Sequence, residues 1–222
     1  MNNDIYSTFE KVIENLKKDK NVKSIIHVGS SKEKIYEQNP KVNDVDLFII
    51  IKNQEKNQIR KIEKIDEIEF DFNYISIKGC YDFIESKTYF FLNIKDGKLL
   101  YDENDFGKGI LSLCEEKYNE GPNKLSKEEK RLHASQLLSD ISRLKCEDEY
   151  EEFEYDFLIY MYLNKIIKMY YLINDIWLPK DKKLLKSLKV QDPILYKIIC
   201  NVCGPDKYKK MIKVTDYILK NL

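Results

Sequence analysis

Glycine and proline are scarce, 7 and 5 residues in a chain of 222. So few chain breakers point to short loops and many helices. Neither sign of charge is in excess: Lys+Arg and Asp+Glu both number 38. Without a basic surplus, nucleic acid is not the expected main partner, since its phosphates are held chiefly by Lys and Arg. No apolar run is long enough to span a bilayer, and Met1-Asn2-Asn3-Asp4 is polar, with no basic-then-apolar signal pattern. The expectation is a cytoplasmic protein with no membrane partner. The five cysteines supply no metal framework. Cys80, Cys114 and Cys146 stand alone and read as small core residues. Cys200-x-x-Cys203 has no second pair and no nearby His, so it reads as two positions on one helix face, not half of a zinc site. His133 has no ligand-type residue at metal spacing, and His27 is expected to pack. There is no internal repeat.

What is present is a strong change of pattern along the chain. Residues 4–18 carry Ile5, Phe9, Val12, Ile13 and Leu16 on one face, an amphipathic helix. Strands are expected at 23–28, 44–51 and 68–77, the second marked as central by its Ile-Ile-Ile. Residues 31–43 read as a loop or short helix, and the charged stretch 52–67 as partly helical. Residues 89–94 and 98–101 flank Asp96-Gly97, a hairpin signal, and 106–118 reads as a helix. Gly121-Pro122-Asn123 is the clearest break, placing a boundary between 1–120 and 121–222. Beyond it, helices are expected near 125–146, 150–175, 180–188, 192–202 and 205–221. The fold class is therefore α+β or α/β: an N-terminal domain with a small mixed sheet, then a C-terminal α-helical bundle.

Three carboxylates interrupt the strand pattern: Asp44 and Asp46, spaced as Asp-x-Asp, and Asp71 between Phe70 and Phe72. A charge on a buried strand is costly unless something compensates it. Residues i and i+2 on a strand share a face, so Asp44 and Asp46 point together while Val45 and Leu47 face the core. Hard oxygen donors in this pattern suit Mg²⁺. Two such ions clamp the attacking and leaving oxygens of an in-line phosphoryl displacement. Upstream, Gly29 permits close backbone approach, and Ser30 and Ser31 offer donors for phosphate oxygens.

Val28-Gly29-Ser30, Asp44-Val45-Asp46 and Phe70-Asp71-Phe72 together resemble the signature of the polymerase-beta-type nucleotidyltransferase superfamily. In layout the chain is most similar to the bacterial aminoglycoside and lincosamide nucleotidyltransferases. The resemblance is specific over the first half of the chain and loose over the second. It implies transfer of a nucleoside monophosphate, AMP from ATP or another NTP, to a hydroxyl of a small molecule such as an aminoglycoside, with release of pyrophosphate. An antibiotic-resistance role would follow. Asp44, Asp46 and Asp71 would hold two Mg²⁺ and carry catalysis, Asp71 also aligning the acceptor oxygen. Gly29, Ser30 and Ser31 would bind the triphosphate, in a cleft between the two domains. Trp177-Leu178-Pro179-Lys180-Asp181-Lys182 resembles a segment of the helical domains of these enzymes, by which Lys182 would reach the triphosphate; an exposed lysine after a helix-starting Pro fits the same residues equally.

The second half adds weaker signals. Glu147, Asp148, Glu149, Glu151, Glu152 and Glu154 read first as a solvated helix start, and second as a docking surface for a polycationic acceptor, with one of them or Asp156 as general base. Phe153, Phe157, Tyr160, Ile167 and Tyr171 lie at helical spacing and read mainly as core. No Arg-x4-6-His pattern surrounds His133, which argues against the RNase-type helical domain found in toxin–antitoxin pairs. Two rivals stay open: a toxin or regulator that modifies tRNA or protein, and a non-catalytic nucleotide-binding module. A monomer and a homodimer fit the sequence equally.

Overall fold

The computed structural model describes residues 5–37, 40–220 and 222. Residues 1–4, 38, 39 and 221, where parts of three expected segments fall, lie outside the described residues. The chain divides into two units, Met1–Glu120 and Gly121–Leu222.

The first unit runs α1 (Ile5–Lys17), β1 (Val22–Val28), α2 (Ser31–Lys34), β2 (Asp44–Ile51), β3 (Gln58–Ile65), β4 (Ile68–Ser76), α3 (Ile77–Glu85), α4 (Tyr89–Leu92), β5 (Lys98–Asp102) and α5 (Phe106–Asn119). The five strands form one mixed sheet in the order β3-β4-β2-β1-β5. β2 and β4 are parallel; every other pairing is antiparallel. Both faces are covered. On one, Phe9, Val12 and Ile13 of α1 join a core with Ile25, Val45, Leu47, Ile49, Phe70 and Phe72. On the other, Phe48 meets Phe90 and Phe91 at ring-centroid distances of 5.3 and 6.1 Å. A strand buried on both sides must be apolar nearly throughout, which is why β2 reads Asp-Val-Asp-Leu-Phe-Ile-Ile-Ile.

Two expectations for this unit are corrected. The charged stretch 52–67 is not helical, because 58–65 forms β3, an edge strand. Its turn to β4 places Asp66 and Glu67 at φ 47° and 70°, with Ile65 paired to Ile68. This is the primed two-residue turn that matches strand twist, made here without glycine. Thr8 of α1 donates to Asp66 at 3.0 Å and ties the turn down. The hairpin expected around Asp96-Gly97 is also absent. Residues 89–92 are α4 and 93–96 a 3-10 turn, burying Phe91, Leu92 and Ile94.

The second unit is helical: α6 (Lys127–Ser142), α7 (Glu152–Ile173), α8 (Leu184–Gln191), α9 (Pro193–Cys200) and α10 (Lys207–Leu219). A capping box starts α6. Ser126 accepts from the Glu129 N–H, and the Glu129 carboxylate accepts from the Ser126 N–H. The 22-residue α7 is the spine of a separate core with Ile141, Leu188, Leu195, Met211 and Val214. Buried Tyr155 and Tyr171 donate their hydroxyls to the carbonyls of Leu144 and Leu184. Among the described residues, no helix is long and apolar enough to cross a membrane.

Three side-chain expectations change. Phe153, Phe157 and Tyr160 are 83%, 61% and 48% exposed, so only the Ile167 and Tyr171 end of that stripe is core. Cys146 is exposed, unlike buried Cys80 and Cys114. Burial pushes the Cys80 and Cys114 thiols up, Cys114 to about 12. Cys200 closes α9 while Cys203 lies beyond it, so the pair does not share a helix face.

Candidate functional site

The strand pairings align the motif residues in one row. Val28 of β1 sits opposite Asp46 of β2, Asp46 beside Asp71 of β4, and Asp71 opposite Ile62 of β3. Partners across a sheet share a face. Asp46 and Asp71, 25 positions apart in sequence, are thereby neighbours. Asp44 shares the face of Asp46, two residues earlier on β2, level with Glu69. Asp44 is exposed and Asp46 half-buried, while Val45 and Leu47 are fully buried on the opposite face.

Directly after Val28 the chain turns. Gly29 has φ +80°, the left-handed region, and a Cβ added there would lie 2.3 Å from Asp46 Oδ2. The dihedral requires glycine, and a side chain here would also push the end of the Asp46 carboxylate aside. Ser30 follows, exposed, at the start of the single-turn α2. Ser31 is turned inward: it is 3% exposed, and its Oγ lies 3.1 Å from His27 Nε2. The Ser31 hydroxyl therefore faces the protein, not the solvent side where Ser30 sits.

His27 is fully buried, 5.2 Å ring-to-ring from Phe9. Burial, then the charges of Lys98 and Lys32, pushes its pKa down to about 4, so the ring is neutral at ordinary pH. Its Nδ1 is buried without a hydrogen-bond partner. An unpaired ring nitrogen costs less as a lone pair than as a desolvated N–H. That favours the tautomer in which Nε2–H donates to Ser31.

Asp71 is held by side chains of its own strand and of β3. Arg60 of β3 donates Nε to Oδ1 at 2.9 Å and to Oδ2 at 3.1 Å, and Nη2 to Oδ2 at 2.8 Å. Asn73 Nδ2 adds a bond to Oδ1 at 3.2 Å, and Gln58 Nε2 holds Asn73 Oδ1 at 2.9 Å. The hydrogen bonds and charge of Asp71 raise the Arg60 pKa further. The donor set of Asp44, Asp46 and Asp71 is all-oxygen and suits a hard divalent cation. The side chains do not yet converge: among the described residues, no three Asp, Glu, His or Cys groups come close enough together to hold a metal ion.

The solved structure of a nucleotidyltransferase-like protein from Exiguobacterium sibiricum matches 98% of this chain and 75% of its own, with TM-score 0.53 and 10% identity. The fold is nucleotidyltransferase-like. Identity this low speaks for the fold alone. No family model and no curated protein matches the chain.

The remaining expected site residues lie in the second unit. Lys182 is exposed on the 3-10 turn Asp181–Lys183, where neighbouring Asp181 pairs with Lys168 at 2.9 Å. Asp156 forms an ion pair with Lys207. The acidic residues 147–149, 151, 152 and 154 are all exposed. Sequence reasoning missed Arg60 entirely. The sequence offers only a faint signal: Arg60 is one of three arginines in a lysine-rich chain, and a forked donor pairs with a carboxylate in a way that lysine's point charge cannot.

Proposed function

We propose that this protein is a metal-dependent nucleotidyltransferase. It would move a nucleoside monophosphate, AMP from ATP, to a hydroxyl of a small molecule and release pyrophosphate. The observation that carries the reading is the row Val28–Asp46–Asp71, with Gly29 pressed against the Asp46 carboxylate. It draws three separate sequence motifs into one locus on a nucleotidyltransferase-like fold.

Asp44, Asp46 and Asp71 would hold Mg²⁺, which when bound neutralises phosphate charge and orients the reacting oxygens. Gly29 would let triphosphate oxygens approach the backbone, with Ser30 as donor. Asp71 would also align the acceptor oxygen. Catalysis would rest on positioning and charge neutralisation, with no covalent intermediate on the protein. For the acceptor, the exposed acidic run 147–154 supports a cationic, hydroxyl-rich molecule of the aminoglycoside kind. The engagement of Asp71 by Arg60 favours, as a second reading, a nucleotide-binding module without turnover.

Thermal unfolding with MgATP, with ATP plus EDTA, and with MgATP on the Asp44→Asn/Asp46→Asn variant tests both. Ligand at a hundredfold over Kd adds about 2.7 kcal/mol, a midpoint rise of about 5–10 °C at this size. The rise should require both metal and the aspartates. Single-turnover release of pyrophosphate then separates transferase from module. A wild-type midpoint that ignores every NTP would remove the proposal.

A further inference from the structure

The proposed site has a basic residue at its edge that no motif accounts for. Arg60 is 59% exposed at its side chain, while Asp71 is 15% exposed. An exposed arginine ordinarily contributes little to a surface ion pair, because solvent screens it and its long stem loses freedom. This pair is different in geometry. The guanidinium engages both carboxylate oxygens, the arrangement that gives Arg–carboxylate pairs their strength. The alignment is built in. Arg60 lies opposite Asn73, so it reaches Asp71 along the diagonal across the β3–β4 ladder. Asn73, itself held by Gln58, fixes the Asp71 carboxylate from the other side.

The two Asp71 oxygens therefore already accept three N–H groups, the Arg60 Nε–H shared between both oxygens, Arg60 Nη2 on Oδ2 and Asn73 Nδ2 on Oδ1. The guanidinium covers the edge of the carboxylate that both oxygens share, and its positive charge opposes a cation approaching there. Among the described residues the acidic groups form no metal-binding cluster. The field of Asp46 and Glu69 also acts on Arg60, so the guanidinium sits at the margin of the whole carboxylate group.

We infer that Arg60 is a positioning residue that holds Asp71 closed, and that a divalent cation completes its site only by displacing the guanidinium from that carboxylate. This rests on the nucleotidyltransferase reading of the carboxylates. The cation and the guanidinium compete for one ligand. The Arg60–Asp71 pair thus lowers affinity for metal alone. Once released, the guanidinium carries an undiminished positive charge beside the site and is available to the phosphates of the nucleotide. Metal and triphosphate should then bind with positive coupling that depends on Arg60.

The test is a titration with Mn²⁺ alone, followed by the electron paramagnetic resonance signal of the free ion. It compares the full chain, Arg60→Ala, Arg60→Lys, Lys61→Ala and Asp46→Asn. Arg60→Ala should bind Mn²⁺ about tenfold more tightly than the unmodified protein, the worth of a charged hydrogen-bonded pair. Arg60→Lys, which keeps the charge and loses the fork, should fall between. Lys61→Ala removes the same charge from the next residue, on the opposite face of β3, and should leave affinity unchanged. Circular dichroism checks that each variant is folded. Equal binding by Arg60→Ala and the unmodified protein, with weakening in Asp46→Asn, overturns the role of Arg60 and leaves the carboxylate site standing. Equal tightening in Lys61→Ala also overturns it, since general charge would then explain the effect. Mn²⁺ binding that is absent, or indifferent to Asp46→Asn, overturns the carboxylate reading and this inference with it.

Discussion

A single ring shows how much one residue's surroundings can set. His27 is neutral in the fold because burial, Lys98 and Lys32 push its pKa down to about 4. In the unfolded chain it titrates near 6.5. Between those values the unfolded state binds the extra proton, so stability rises with pH. The full contribution is present above about pH 6.5 and is lost as pH falls towards 4, amounting to about 3 kcal/mol. Urea midpoints of the unmodified protein and His27→Gln should therefore converge as pH is lowered across this window. A constant gap between them would show that His27 is not the titrating group. Gly29 sets a second residue-scale expectation. Gly29→Ala imposes a left-handed alanine and drives its Cβ into the Asp46 carboxylate. It should cost about 1–3 kcal/mol and weaken MgATP binding further by displacing Asp46. A stability loss with intact nucleotide binding would separate the turn from the site.

At the scale of elements, some were plain in the sequence and others were hidden for definite reasons. β2 matched its expected bounds because burial on both faces leaves an uninterrupted apolar run after Asp46. The carboxylate row itself could be anticipated only as far as the motif order. That Asp46 and Asp71 are adjacent follows from a parallel pairing, which no local pattern encodes. β3 was hidden because an edge strand exposes most of its residues, and Gln-Ile-Arg-Lys-Ile-Glu-Lys-Ile carries charge at helix-like intervals. With β3 unseen, Arg60 could not be placed beside Asp71. α4 was misjudged because Tyr-Phe-Phe-Leu is as apolar as a buried strand, and length alone separates the two. Another missed device lies at the start of α5. Asp102, the last residue of β5, accepts from the Gly107 N–H at 2.6 Å, the Lys108 N–H at 3.1 Å and Ser24 Oγ at 2.7 Å. It satisfies two open helix donors and links them to β1. Asp102→Ala should destabilise the first unit by about 2 kcal/mol, and Asp102→Asn by less. Urea denaturation measures both, and an unchanged midpoint in Asp102→Ala would mean that solvent serves the helix end equally well.

For the whole molecule, the relevant fact is two cores that share no residue. One is built on the sheet and α1, the other on α7 and the helices around it. The segment between α5 and α6, residues 120–126, carries no helix or strand and includes exposed Asn123 and Lys124. Exposed segments without regular hydrogen bonding are the preferred sites of nicking. Brief trypsin digestion should therefore cut first after Lys124, giving two fragments that resist further cleavage. Early cuts within either unit would contradict two independently packed cores.

The tight turn at Asp66 and Glu67 also has a kinetic consequence. β3 and β4 are adjacent in sequence and joined by two residues, so their pairing closes a very short loop, an event of about 1–10 μs in isolated hairpins. Laying β4 alongside β2 requires the intervening β3 to be spanned first, and parallel pairing of this kind is slow. The order of assembly follows. Arg60 and Asp71 meet within the hairpin, while Asp46 meets Asp71 only when the sheet closes. The guanidinium would thus neutralise Asp71 while that strand is still unprotected, before the second aspartate arrives to repel it. Pulsed hydrogen exchange during refolding should find the β3–β4 amides protected ahead of those of β2.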